Sequence, residues 1–255
     1  RSFFNNSEME DKGLPSPEEL ALLEPLKEQL PAEVFTTEYA NPVSNNSTER
    51  RKNLREASRL LAEAGWNVTQ DGNKSVLKNA AGERLNLEFL LDSPTFERIT
   101  LPYKQQLELL GIGVSIKTVD GAQYERQTQT FDYDIIVGNW GQSLSPGNEQ
   151  RDFWGSAAAD TNGSRNYIGI KNPVIDKLIE AIIFAKDREG LTTACKALDR
   201  ALIWNHYLVP HWYVAYERTA RWDRFGKPET LPDYSIGFPT VWWWDKDKAA
   251  KVAKG

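Results

Sequence analysis

The chain has 255 residues, 40% of them hydrophobic and 26% charged, with 9 Trp, 9 Tyr, 10 Phe and a formal net charge of −5. That length supports a sizeable core in one or two domains, and the acidic balance lacks the basic footprint of a nucleic-acid binder, so no nucleic-acid partner is expected. No apolar run approaches the roughly 20 residues of a membrane helix, and the lone Cys195 excludes an internal disulfide or a thiolate metal site. The first residue is Arg1 and no signal peptide is visible, so the sequence reads as a processed or excised piece whose compartment no targeting segment reveals.

Residues 1–47 are turn-rich, punctuated by Pro15, Pro17, Pro25, Pro31 and Pro42, and are expected to wrap over a neighbour. Within them Ser16, Pro17 and Glu19 form a capping-box signature for a short helix over residues 16–23. A longer helix is predicted over 47–64, capped by Ser47 or Thr48 and stopped by Gly65. Residues 71–82 read as a hairpin tip with Asp71-Gly72 as the turn. Then come a strand over 84–91, a helix over 95–110, a strand over 113–118, a short helix over 123–130 and a strand over 132–137. Strand and helix alternating in this way predict an α/β fold with a mostly parallel central sheet flanked by helices. Helices follow over 149–153, 173–185 and 189–205, and Leu208–Tyr216 reads as a strand with Pro210 at an edge or bulge. The tail beyond Glu217 is aromatic and expected to expose apolar surface, with Trp242-Trp243-Trp244 either core strand or ligand contact. Lys246–Gly255 is expected to fray.

No HExxH, GxSxG, P-loop or GxGxxG occurs, so no cofactor is expected. His206 and His211 stand five apart across Pro210 and do not share a helix face, so no metal site is expected either. Asp132 and Asp134 flank Tyr133 like a catalytic pair, yet at a strand entrance solvated charge is the ordinary meaning; a hydrolase acting through Asp134 stands as the enzymatic alternative. The turn-rich residues 138–147 follow the carboxyl end of a core strand, where α/β folds place ligand contacts, although composition alone favours an ordinary glycine-bearing connection.

Several stretches together resemble the carboxyl-terminal lobe of family 5 extracellular solute-binding proteins, the receptors of peptide ABC importers. They are LLAEAGW, LNLEFLL, QLELLGIGVSIKTVD, YDIIVGNWGQSLSPGN, NPVIDKLIEAI and YLVPHWYVAY, in consistent order over nearly the whole chain. The opening RSFFNNSEMEDKGLPSPEELALLEPLKEQLP and the phrase DSPTFERI look closer still to the YejA-type branch, associated with oligopeptide and microcin C uptake. The resemblance implies one lobe of a two-lobed, exported, periplasmic receptor without catalysis. Its partners would be an oligopeptide or peptide-like ligand, held between the lobes, and the permease subunits of an ABC importer. Residues 1–216 would form the ligand-binding lobe and 217–255 the segment returning to the other lobe. An opine or sugar-conjugate receptor on the same scaffold is the alternative within the family.

Relatives that bind free peptides carry an Asp in the loop matching residues 138–146, paired with the ligand's α-ammonium; aligned on Pro146, that position is Gln142. An amide offers a donor and an acceptor but no charge, so the expected ligand lacks a free ammonium there, as an N-formylated peptide does, or is anchored elsewhere along its length. Asn139, Trp140, Gly141 and Ser143 are the companion contacts, pairing an extended peptide through backbone groups with Trp140 as an apolar wall. Arg98 is the candidate partner for a ligand carboxylate, or else a surface arginine paired with Glu97 or Glu125. Arg165, Asn166 and Tyr167 follow as lesser candidates.

Overall fold

The computed structural model describes residues 1–216, 218–232, 235 and 237–252. In chain order they form helices α1 (Pro17–Leu23), α2 (Glu33–Thr36) and α3 (Ser47–Glu63), then a hairpin of β1 (Asn67–Asp71) and β2 (Lys74–Lys78). The alternation β3 (Asn86–Leu91), α4 (Pro94–Leu109), β4 (Gly113–Thr118), α5 (Gly121–Gln129) and β5 (Ile135–Ile136) follows. Helices α6 (Glu149–Trp154), α7 (Pro173–Ile183) and α8 (Arg188–Trp204) come next, and then the short strands β6 (Phe225–Gly226) and β7 (Trp243–Trp244) and helix α9 (Lys246–Val252).

Caps decide where these helices begin. Ser16 Oγ accepts from the Glu19 amide at 3.2 Å while the Glu19 carboxylate accepts from the Ser16 amide at 3.5 Å, the reciprocal pair expected of a capping box. On α3 the cap is Asn46, whose Oδ1 accepts from both Thr48 and Glu49 amides at 3.0 Å, not Ser47 or Thr48. Helix α4 ends at Gly111, which adopts φ +89 and whose carbonyl accepts from the Leu77 amide at 2.9 Å. A Cβ at Gly111 would lie 3.2 Å from the Leu77 nitrogen, so glycine is required both by the left-handed turn and by the close approach of β2.

The central sheet has the order β4-β3-β5, all parallel. The last strand is shorter than the sequence predicts, pairing only Ile135 and Ile136 with Phe89 and Leu90. Its expected first half is consumed by the turn out of α5. Phe131 takes a positive φ of 57, Gln127 Nε2 donates to the Asp132 carboxylate at 3.0 Å, and the Asp134 carboxylate accepts from the Glu88 amide at 2.9 Å.

Two cores result. One lies between the sheet, β2 and α4, built on Leu77, Phe89, Ile112 and Val114 with Tyr103 and Leu107 packed on it. The larger is helical: the apolar faces of α7 and α8 close on Phe153, Trp154 and the opening segment, whose Phe4, Met9, Leu23 and Val34 are buried. The opening segment is also tied down by charge. Asp199 on α8, fully buried, accepts from Ser2 Oγ at 2.6 Å, the Phe3 amide at 2.7 Å and the Asp11 amide at 3.0 Å. Its neighbour Arg200, equally buried, pairs with Glu19 at 3.1 Å and Asp11 at 3.4 Å. Burial and the Asp11 carboxylate push Asp199 up to about 8, against the three donors that hold it down.

Two sequence expectations fail here. Residues 208–216 form no strand: they lie unpaired, with Val209, Trp212, Tyr213 and Val214 exposed. β-Branched and aromatic residues favour a strand only when a neighbouring strand accepts their ladder, and none does among the described residues. The lysine-rich end does not fray over its described part; Asp245 Oδ1 accepts from the Asp247 and Lys248 amides at 3.0 Å and starts α9. Trp243 and Trp244 pair antiparallel with Gly226 and Phe225 and stay about half exposed. Glu217, where the return segment is expected to begin, and Tyr234 of the aromatic tail lie outside the described residues.

Candidate functional site

From β3 the chain crosses to β4 on one side, and from β4 it crosses back to β5 on the other. The carboxyl ends of β3 and β5 therefore bracket the point where the strand order reverses, the usual ligand crevice of an open parallel sheet. Residues 137–148 leave the sheet at this point.

The loop is fastened from behind by the helical core. Trp140 turns inward, its ring 4.9 Å from that of Trp154 and 5.7 Å from that of Tyr167, and its Nε1 donates to the Arg165 carbonyl at 3.0 Å. Gly138 permits this fold-back, since a Cβ there would meet the Trp140 ring at 2.8 Å. Arg165 returns a bond to the Asn139 carbonyl at 2.8 Å and lies 4.5 Å over the Phe153 ring. Gln142 and Gln150 form a paired amide contact, with Gln150 Nε2 donating to Gln142 Oε1 at 2.6 Å and Gln142 Nε2 donating back at 3.2 Å. Gln150 is fully buried and accepts from Trp154 Nε1 at 3.0 Å. Further along, Arg188 donates to the Leu144 carbonyl and pairs with Glu8, and Pro146 is buried.

What this leaves open is backbone. Among the described residues, the N–H and C=O groups of Trp140, Gly141, Gln142 and Ser143 have no hydrogen-bond partner, and Gly141 and Ser143 are exposed. Four consecutive residues with free main-chain donors and acceptors form an unpaired edge, able to hold an extended chain by β-type bonds. Asn139 is only half available, its carbonyl being taken by Arg165.

The other sequence candidates divide. Arg98 is exposed on α4, which begins at the carboxyl end of β3, and makes no ion pair among the described residues. Neither expected partner holds it: Glu97 accepts from Thr118 Oγ1 at 2.6 Å, and Glu125 from Gln129 Nε2 at 3.4 Å. Asn166 is fully buried and its amide is spent on Gly155, Ile170 and the Ile170 amide, so it braces the loop's floor. Asp134 lines a shallow concavity of about 350 Å³ with Asn86, Glu88 and Ser115, towards the amino-terminal ends of the strands and away from the loop.

Of a group of tyrosines beside the loop, only Tyr167 is among the candidates that the sequence offers. Tyr133 donates its hydroxyl to the Tyr167 carbonyl at 2.8 Å, and burial, with Tyr167 and Tyr124 nearby, pushes it up to about 12. Tyr124 is raised by burial and then by the Asp92 carboxylate, which follows the carboxyl end of β3. These residues come from four separate segments, so no local pattern marks them. Gln150 and Trp154 did carry a signal: one helical turn apart on α6, they share a face.

The sequence profile of the bacterial extracellular solute-binding proteins, family 5 (middle region), matches residues 26–162, which contain the sheet, both crossovers and the loop. The chain belongs to this family. It is 48% identical over 242 residues to a probable peptide-binding protein YejA of Agrobacterium fabrum and 39% identical over 252 residues to YejA of Escherichia coli K12. These matches place it on the YejA-type branch. They cover 95% and 98% of this chain but 39% and 41% of those proteins, so the chain spans about two fifths of their length. Among solved structures it superimposes on the oligopeptide-binding protein AppA of Bacillus subtilis, in complex with a nonapeptide, with a TM-score of 0.55 and 17% identity. That superposition covers 90% of this chain and 45% of AppA, and it establishes the periplasmic-binding-protein fold. Of these two relatives, the one from Agrobacterium fabrum is named as a probable peptide-binding protein. Among the described residues no helix is long and apolar enough to cross a membrane.

Proposed function

We propose that this chain is the peptide-contacting lobe of a periplasmic receptor that delivers peptides or peptide-like compounds to the permease of an ABC importer. Residues 1–216 form the lobe, and residues 217–255 return towards a second lobe that closes over the ligand by hinge motion. The observation that carries this reading is the unpaired backbone from Trp140 to Ser143, held rigid from behind and opening at the sheet's switch point. An extended peptide offers the complementary row of amides and carbonyls.

The side chains refine the ligand. Gln142 presents no charge, so the ligand group beside it lacks a free ammonium, as in an N-formylated peptide. Arg98, exposed and unpaired among the described residues at the same end of the sheet, receives a ligand carboxylate. Trp140 holds the loop in shape more than it walls the ligand, since its ring faces Trp154. Asp134 already accepts from the Glu88 amide, away from the loop, and no observation favours the hydrolase. Calorimetry of the full-length protein with a formylated peptide and its free-amine counterpart tests this reading. Tighter binding of the formylated peptide is expected; tighter binding of the free amine contradicts it.

A further inference from the structure

We infer that Gln150, buried beneath the loop, sets the receptor's ligand preference by aiming the amide of Gln142; the inference rests on Gln142 being a ligand contact. Trp154 Nε1 can only donate, so the Gln150 atom 3.0 Å from it is the carbonyl oxygen. That fixes the Gln150 amino group on the far side, where it donates to Gln142 Oε1 at 2.6 Å and to Glu149 Oε1 at 3.2 Å. The carbonyl of Gln142 is thereby committed to the shorter bond of the pair. Its amino group donates back at 3.2 Å with one hydrogen and keeps the other.

A free glutamine turns its amide over to suit either a donor or an acceptor. Gln142 does not have that freedom, because a flipped amide would set its amino group against the amino group of Gln150 with no room for relaxation around a fully buried side chain. The N–H that Gln142 keeps is therefore a donor of fixed position, beside an Oε1 that is already engaged at 2.6 Å and has only its second lone pair left. It matches a carbonyl acceptor, such as the oxygen of an N-acyl group or of an internal peptide unit. It does not match a primary ammonium, which has only donors. Trp154 and Gln150 act as a relay: the indole orients the buried amide, and the buried amide orients the half-buried one.

The test measures binding of one peptide and its N-acetylated form to the full-length protein and to two variants, with thermal unfolding recorded for each. Gln150→Glu keeps an acceptor for Trp154 and, at a pH high enough to ionise a carboxyl raised by burial and by Glu149, replaces the amino group by a second acceptor, so Gln142 turns its carbonyl outward. Its ratio of acetylated to free-amine affinity is expected to fall about tenfold, the worth of one hydrogen bond. Gln150→Met, close in volume, releases Gln142 and is expected to lower the ratio as well; it carries the test if the glutamate variant does not fold. Equal weakening of both peptides at an unchanged ratio overturns the inference and leaves Gln150 as packing. A parent protein that prefers the free amine, or a Gln142→Ala variant that binds both peptides like the parent, overturns the underlying reading of Gln142 instead.

Discussion

Helices α7 and α8 bury nearly all of one face, from Val174 to Ile182 and from Ala194 to Ile203, whereas α3, as long as α8, buries none of its residues and β5 contributes two half-buried isoleucines. The helical region adds an enclosed ionic cluster of Asp11, Glu19, Asp199 and Arg200, while the ion pairs around the sheet and α3, such as Arg59 with Glu56 and Glu63, lie at the surface. The candidate loop starts from the thin region and is fastened by the thick one, through Trp154, Gln150, Arg165 and Arg188. The contrast explains how four residues keep their backbone free. An unpaired segment carried by a two-residue strand alone would collapse or wander; here side chains of a dense core hold it in place and leave its edge unused.

The contrast breaks most severely at Arg200. Arg200→Ala leaves the buried Glu19 without its cation and Asp11 with only the part-buried Arg1, and a loss of about 3–5 kcal/mol in chemical denaturation is expected. Asp199 makes the same region sensitive to pH. Its carboxyl is raised in the folded state, so its contribution is fully present below the ordinary aspartate range and is lost as pH rises towards about 8. Unfolding free energy is therefore expected to decline between pH 4 and 8, and Asp199→Asn to flatten that slope. In the sheet region the sensitive point is backbone: Gly111→Ala forces a left-handed alanine against β2, with an expected cost of about 1–3 kcal/mol. Arg59→Ala, removing two surface ion pairs on α3, is expected to leave the denaturation midpoint where it was.

Local chemistry was the most legible part of this sequence. The capping box at Ser16 and Glu19 forms both of its bonds, and Gly113–Thr118 is a strand over the span that its composition predicts. Such features depend on neighbours within a few residues. The strand expected at 208–216 failed because a strand is completed by its partner, and no partner is written into its own residues. The loop was locatable, since Gly138 closes the apolar run of residues 135–137, but its working state was not. That Trp140 points inward, that Arg165 occupies the Asn139 carbonyl and that Gln150 commits Gln142 all depend on contacts between segments far apart in sequence or turned towards each other only by the fold. Family resemblance supplied Gln142 as the position of interest; only the geometry supplied the buried residue behind it.

Amide hydrogen exchange on the full-length protein, with and without a bound peptide, tests the free edge most directly. The amides of Trp140, Gly141, Gln142 and Ser143 are expected to exchange quickly without ligand and at least about tenfold more slowly with it, while those of Ile135 and Ile136 change little. Unchanged exchange at the four loop amides under saturating peptide would show that the ligand is held elsewhere.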